Sequence, residues 1–415
     1  MPEARFSTCF QRNLQGNAIL KSGKLFPKIK KCIFAKTFLE VHIAVNTRLL
    51  ISGKLEGIGW FTFETLRRIC KRHPEHQFTF IFDRPYNPKF IFEDNISAIV
   101  LPPAARHPLL FYTWFEWRIP PLLRQIKADL FVSPDGYLSL HSEIKQLAVI
   151  HDINFEHYPQ HLPLAARKYL KYYFPKFAKK ATRIATVSEF SKTDIVKQYK
   201  VKPEKIDVVY NGFSECFKSI SIEKANSIRK QLTSGSPYFI YVGALQPRKN
   251  IANLLLAFDA FREKHNNEFK LVLTGEKKWW SNKTEAIFTK MKYSHDVIFT
   301  GRMEQEKLAE TLAAAHALCY VSFFEGFGIP LLEAMASDVP VITAASSSLP
   351  EVAEEAALFV SPFDFNSISE AMLQLANNEE TRNKLIEKGR VQIQKFSWEH
   401  TASKLWDSIE KTLEC

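Results

Sequence analysis

Two glutamates, Glu325 and Glu333, stand with seven residues between them in the stretch FFEGFGIPLLEAMASDVPVI, residues 323–342. A Gly-Phe-Gly turn follows the first, and a helix led by Pro330 and running from Leu331 to Ala336 carries the second. Gly326 and Gly328 lack a Cβ, so the backbone there can approach a ligand closely and take positive φ. Pro330 suits the first helical position, where its missing N–H costs nothing. The helix start leaves N–H groups unpaired and carries partial positive charge, which attracts anions and hydroxyls. With one carboxylate just ahead of that end and one a turn inside it, both can grip hydroxyl pairs around an anionic centre. That describes a holder for a phosphorylated sugar. A second cluster has the complementary charge. Arg248 and Lys249 follow a strand ending in Gly243 and sit at the mouth of the helix IANLLLAFDAF, for which Asn250 is the expected cap. Arg offers a bidentate fork and Lys a point charge, a pairing suited to a diphosphate.

The elements that must position these groups read as alternating strands and helices. Strand Val41 to Val45 leads through a loop around Gly53, Gly57 and Gly59 into a helix from Trp60 to Cys70. This strand, glycine loop, helix order opens a Rossmann-like unit. Strands FTFIF, AIVLP, DLFVS, LAVI, RIATVS and IDVV follow. LAVI ends in His151-Asp152, and strand carboxyl ends are where open parallel sheets bind ligands. A polar connector over residues 219–236 precedes a second Rossmann-like unit, which opens at Tyr238 and includes FKLVLTG and VIFTGRM with Gly301 and Arg302. Two segments do not fit a plain core helix. Phe111, Tyr112, Trp114, Phe115 and Trp117 cannot all face one core at 3.6 residues per turn, so they either pack against a neighbouring domain or line a lipid- or acceptor-facing groove. PLAARKYLKYYFPKFAKK, residues 163–180, is a basic helix interleaved with tyrosines, and reads as a solvated face or as a membrane-surface or acidic-acceptor face.

At 415 residues with 46% apolar residues the chain supports two domains with large cores. No run of about 18 apolar residues occurs, so no membrane-spanning helix is expected. The first twenty residues hold no signal-peptide core. Six scattered cysteines without a C-x-x-C pair argue against a disulfide framework or a zinc site and fit a reducing cytosol. The formal charge of +12 points to anionic partners. Half of it falls in residues 1–40, which read as a basic extension, solvated or anchored at a membrane surface. A nucleic-acid-binding protein would need a recognised module, and none is seen.

Set within F-E-G-F-G-x-P-L-L-E-A-M-A and followed by P-V-I, the two glutamates resemble the motif of the retaining glycosyltransferases of family 4 (group 1). The resemblance covers residues 41–413. It includes the glycine loop at Gly57 and Gly59, the His151-Asp152 pair, V-S-E-F-S-K at residues 187–192, and the loops at Gly243 and Gly301-Arg302. One departure is Ser337-Asp338, where the family usually has a helix-closing glycine; another is Ala244, where it often has an arginine, which leaves Arg248 to supply that charge.

The resemblance implies an α/β protein of the GT-B fold, two facing Rossmann-like doubly wound domains with a cleft between them. Its parts would be an acceptor domain over residues 41–218, a nucleotide-sugar domain over 219–396, and a final helix over 397–415 crossing back to the first. It further implies Glu333 on the ribose hydroxyls and Glu325 on the transferred hexose, aided by the N–H groups of Phe327 and Gly328, with Gly326 also among the donor-binding positions. His151 would approach that sugar from the facing domain, and Arg248 and Lys249 would meet the diphosphate. No D-x-D motif occurs, so metal independence and no cofactor are expected. The form V-G-A-L-Q-P-R-K-N resembles mannosyltransferase-like members making surface polysaccharide. GDP-mannose is therefore the leading donor over UDP-glucose or UDP-N-acetylglucosamine, with a glycan or lipid-linked acceptor. The expected location is the cytoplasm, peripheral to the inner membrane. A GT-B epimerase or a phosphorylase are the rival enzyme classes.

Overall fold

The computed structural model of the protein describes residues 40–415 apart from residues 266, 278 and 279; the basic extension, up to residue 39, lies outside them. Two sheets organise the chain. The first contains β1 His42–Asn46, β2 Gln77–Phe82, β3 Ile96–Val100, β4 Leu130–Ser133, β5 Lys145–Val149, β6 Arg183–Thr186 and β7 Ile206–Val208, in the order β3-β2-β1-β4-β5-β6-β7. The second contains β8 Tyr238–Val242, β9 Lys270–Thr274, β10 Val297–Gly301, β11 Ala317–Tyr320, β12 Val341–Ala344 and β13 Ala357–Val360, in the order β10-β9-β8-β11-β12-β13. Neighbouring strands are parallel throughout. Parallel sheets are covered by helices on both faces, which is why β8 reads YFIYV and is buried at every position. The strand order reverses between β1 and β4 in one sheet and between β8 and β11 in the other. Such reversals open a crevice at the strands' carboxyl ends.

Several helices depart from expectation. The first runs Gly57–Arg72, so Gly57 and Gly59 form its opening turn instead of a loop. The expected polar connector contains a helix, Ile222–Thr233, started by Ser221, whose side chain accepts from Lys224 N. The aromatic run folds as helix Pro108–Tyr112, a wide π-turn at Thr113–Arg118 and helix Ile119–Gln125. That widening resolves the crowding: Trp114 and Phe115 are buried in the first half's own core, not against the other half, while Trp117 is exposed.

The chain leaves the first half after β7 and returns in the helix Trp398–Glu414, which packs along Gly57–Arg72. Arg68 Nε lies 2.6 Å from Glu399, Lys145 Nζ 2.6 Å from the Leu413 carbonyl, and Lys411 Nζ 3.1 Å from Asp207. The His73 and Trp406 rings stack at 3.6 Å. Where the two crossings meet there is no room for a side chain: a Cβ on Gly212 would lie 2.2 Å from Trp398 N. The four cysteines among the described residues are free.

Candidate active site

The crevice between β8 and β11 gathers the charged groups. After β8 the chain makes a 3-10 turn, Pro247–Lys249, and after β11 it reaches Glu325. Lys249 Nζ donates to Glu325 Oε1 at 2.6 Å and to the Tyr320 hydroxyl at 2.7 Å. Arg248 Nη1 pairs with Glu325 Oε2 at 3.0 Å and also donates to the Phe324 carbonyl. Glu325 thus holds both cations, each nearly enclosed. Burial alone would raise its carboxyl, but Arg248 and Lys249 together outweigh burial and hold it down to about 2. Burial lowers the Lys249 ammonium despite Glu325. Asn250 does not cap its helix with its side chain. Its backbone is left-handed, φ 62°, and its Nδ2 ties the carbonyls of Val321 and Pro362 instead.

Glu333 lies in the helix Ile329–Ala336, whose N-cap is Gly328 at φ 111°, a conformation that disfavours any side chain. No cation or donor reaches the half-buried Glu333 among the described residues, and burial pushes its carboxyl up to about 8. The N–H groups of Phe327 and Gly328 likewise find no protein acceptor among the described residues. Phe327 packs on Tyr210 and Phe396. The helix ends at Asp338, where φ is 57° and the carboxylate holds Arg390 at 2.7 and 2.8 Å. A glycine-like turn is met here by an ion pair.

The facing half meets this loop through backbone. A Cβ on Gly326 would lie 2.5 Å from the His151 carbonyl oxygen, so the glycine makes room for the other half and not for a ligand. Ser188 and Ser191 donate to the Gly326 carbonyl at 2.8 and 3.3 Å. Glu351 accepts from Glu189 N at 2.7 Å and from Phe190 N at 3.0 Å, covering the start of the helix Glu189–Tyr199 from across the cleft. Sequence reasoning does not find these contacts; the match to V-S-E-F-S-K marks only the segment. His151 is half-buried, its Nε2–H donated to the Pro134 carbonyl at 2.9 Å, and burial lowers its pKa, so it is a neutral ring. Ser347 accepts from Glu325 N, and Ser348 donates to the Glu325 and Phe327 carbonyls, so these serines fix the loop.

The remaining predicted positions frame the same cleft. Gly243 and Gly301 sit at the carboxyl ends of β8 and β10. Arg302 is exposed and donates to the Leu55 carbonyl at 3.1 Å, just before Gly57 and Gly59. Among the described residues, His73, Glu75 and His76 bring metal-ligand atoms within 4.8 Å of one another, but they directly precede β2, at the amino ends of the strands and away from the carboxyl ends where the crevice opens.

Comparison with known proteins places this geometry. Residues 223–392 match the model for glycosyl transferases group 1, and residues 55–215 that for glycosyltransferase family 4. The chain is 29% identical over 361 residues to O-antigen chain mannosyltransferase B of Escherichia coli, covering 84% of this chain and 94% of that one. It is 30% identical over 278 residues to O-antigen chain mannosyltransferase RfbU of Salmonella typhimurium, covering 67% and 74%. Sucrose-phosphate synthase from Thermosynechococcus elongatus shares the fold, with a TM-score of 0.73 at 18% identity over 90% of this chain and 99% of that one. The two facing Rossmann-like halves are those of the GT-B glycosyltransferases.

Proposed function

The chain belongs to the group 1 glycosyltransferases, and from that premise we propose that it moves mannose from GDP-mannose, with retention, to a glycan or lipid-linked acceptor of a surface polysaccharide. The observation that carries the reading is the convergence of Arg248, Lys249 and Glu325 in the β8/β11 crevice, one turn from the unpaired N–H groups of Phe327 and Gly328. Mannose is supported by the two O-antigen mannosyltransferases that the chain resembles over most of its length.

In this reading the donor diphosphate competes with Glu325 for the two cations. Arg248 and Lys249 then neutralise charge that grows on the phosphate as the anomeric C–O bond breaks, the role of preorganised cations in a dry site. Glu325, released, accepts from the hexose hydroxyls, and Glu333 accepts from the ribose. The N–H groups of Phe327 and Gly328 meet a phosphate oxygen. The acceptor hydroxyl attacks from the face the diphosphate leaves, giving its proton to the departing phosphate oxygen, so configuration is retained. His151, neutral and fixed by Pro134, lines the sugar from the facing half. No D-x-D pair occurs in the sequence, and the cations and helix end take the charge that a divalent ion would otherwise meet. Sugar nucleotides put the reaction in the cytoplasm, and a lipid-linked acceptor puts it at the membrane's inner face. No helix among the described residues is long and apolar enough to cross that membrane.

Thermal unfolding with GDP-, UDP-, ADP- and dTDP-sugars tests the reading. GDP-mannose at a hundred times its Kd should add about 2.7 kcal/mol of stability, and Glu333→Ala should abolish the shift. A shift with UDP-glucose and none with GDP-mannose would overturn the donor; no shift with any sugar nucleotide would overturn the site.

A further inference from the structure

The helix Leu164–Lys180 carries six cations, Arg167, Lys168, Lys171, Lys176, Lys179 and Lys180, and no acid. Beside it runs the π-turned segment Pro108–Arg118, whose single carboxylate, Glu116, is buried on the N–H groups of Leu140 and His141. No exposed acid therefore interrupts either segment. Between the cations the face is apolar and bare: Leu109 is 68% exposed, Trp117 64%, Leu164 71% and Tyr172 58%. The rings form one continuous band. Trp117 lies 5.8 Å from Tyr112, Tyr112 lies 6.0 Å from Tyr173, Tyr173 lies 4.9 Å from Tyr172, and the Lys176 ammonium stands 3.5 Å over Tyr172.

Bare tryptophan, tyrosine and leucine among lysines is costly in water and matched to one environment, the headgroup layer of a bilayer, where amphipathic rings and cationic tips are both satisfied. We propose that this face docks the protein on a membrane bearing anionic headgroups. Trp117, Leu109, Tyr172 and Leu164 enter the boundary between headgroups and chains, and Lys168 and Lys176 lie on the phosphates. The inference rests on the reading of a lipid-linked acceptor and gives it a geometry. Both segments follow carboxyl ends of strands of the first sheet, Pro108–Arg118 after β3 and Leu164–Lys180 after β5, so each starts on the side of the sheet where the crevice opens. Docking on this face sets the mouth of the cleft against the bilayer, where an acceptor on a lipid carrier enters without leaving its membrane.

The test uses the full chain and sedimentation with vesicles. Vesicles of phosphatidylglycerol and phosphatidylethanolamine should retain the protein, and phosphatidylcholine vesicles should not. Trp117→Ser with Tyr172→Ser, and separately Lys168→Glu with Lys176→Glu, should each weaken retention more than about tenfold, since one cation near such a surface is worth about fivefold. Both pairs should unfold at the wild-type temperature and keep the wild-type shift with sugar nucleotide. Retention unchanged in both pairs would overturn the proposal. So would retention by soluble heparin that outcompetes vesicles and is lost in the lysine pair alone, which marks a face for an anionic polymer. A missing sugar-nucleotide shift with vesicle binding intact would instead overturn the donor reading and leave the docking face standing.

Discussion

At Glu333 no cation offsets burial, and the carboxyl is pushed up to about 8, whereas eight residues earlier Arg248 and Lys249 hold Glu325 at about 2. The two glutamates at one helix end therefore respond differently to pH. For Glu333 the folded value lies above the ordinary carboxylate value of about 4.3. The folded state then binds an extra proton between about 4.3 and 8, and stability falls as pH rises through that window. Glu333→Gln should remove this slope. With allowance for the side chain's solvent contact, the variant should gain about 1–2 kcal/mol at pH 8 relative to pH 5, read as a rise in Tm against wild type in unliganded protein. An identical pH dependence in both proteins would show that Glu333 is solvated and ionised. The spacing of the two acids was legible in the sequence, as was the cationic pair. Their opposite environments were not, because Arg248 and Lys249 reach Glu325 only through the neighbouring of β8 and β11, which no local pattern encodes.

Elements were legible where one physical rule dominated. Apolar runs such as FTFIF and YFIYV gave strands, since a sheet covered on both faces needs little else. The helix Ile222–Thr233 was missed because its buried residues are few, and polar sequence without an apolar stripe reads as connector. Asn250 failed as a cap for a different reason: its left-handed backbone turns the side chain toward Val321 and Pro362. A cap does exist at a helix start for which none was expected. The helix Glu189–Tyr199 has Ser188 on Ser191 N, and Glu351 from the other half covers the N–H groups of Glu189 and Phe190. Charge-assisted bonds to a carboxylate at a helix start exceed neutral ones. Glu351→Gln should therefore weaken the contact between halves by about 1–2 kcal/mol, seen as a larger radius of gyration in unliganded protein and a raised KM for donor. A radius and KM both unchanged would mean that the serines alone hold the halves.

Across the whole molecule the closed arrangement depends on absent atoms. The carbonyl of His151 occupies the space where a side chain on Gly326 would stand. Gly326→Ala should hold the halves apart, leave each folded and leave the donor-side groups of the second half in place. Sugar nucleotide should still raise Tm, while transfer falls more than about a hundredfold, the penalty expected when catalytic groups are misplaced by an ångström. Transfer near the wild-type rate would mean that the reaction does not need this approach. Gly212 has the same character where the chain crosses between the halves. There the outgoing chain lies directly on the returning Ser397-Trp398 backbone, with no side chain as a spacer. Two covalent connections pressed together at one place give the two halves a common root. Any gape of the mouth has to break the bonds that span it elsewhere, and the one from Arg302 to the Leu55 carbonyl is exposed to water and easily exchanged for it.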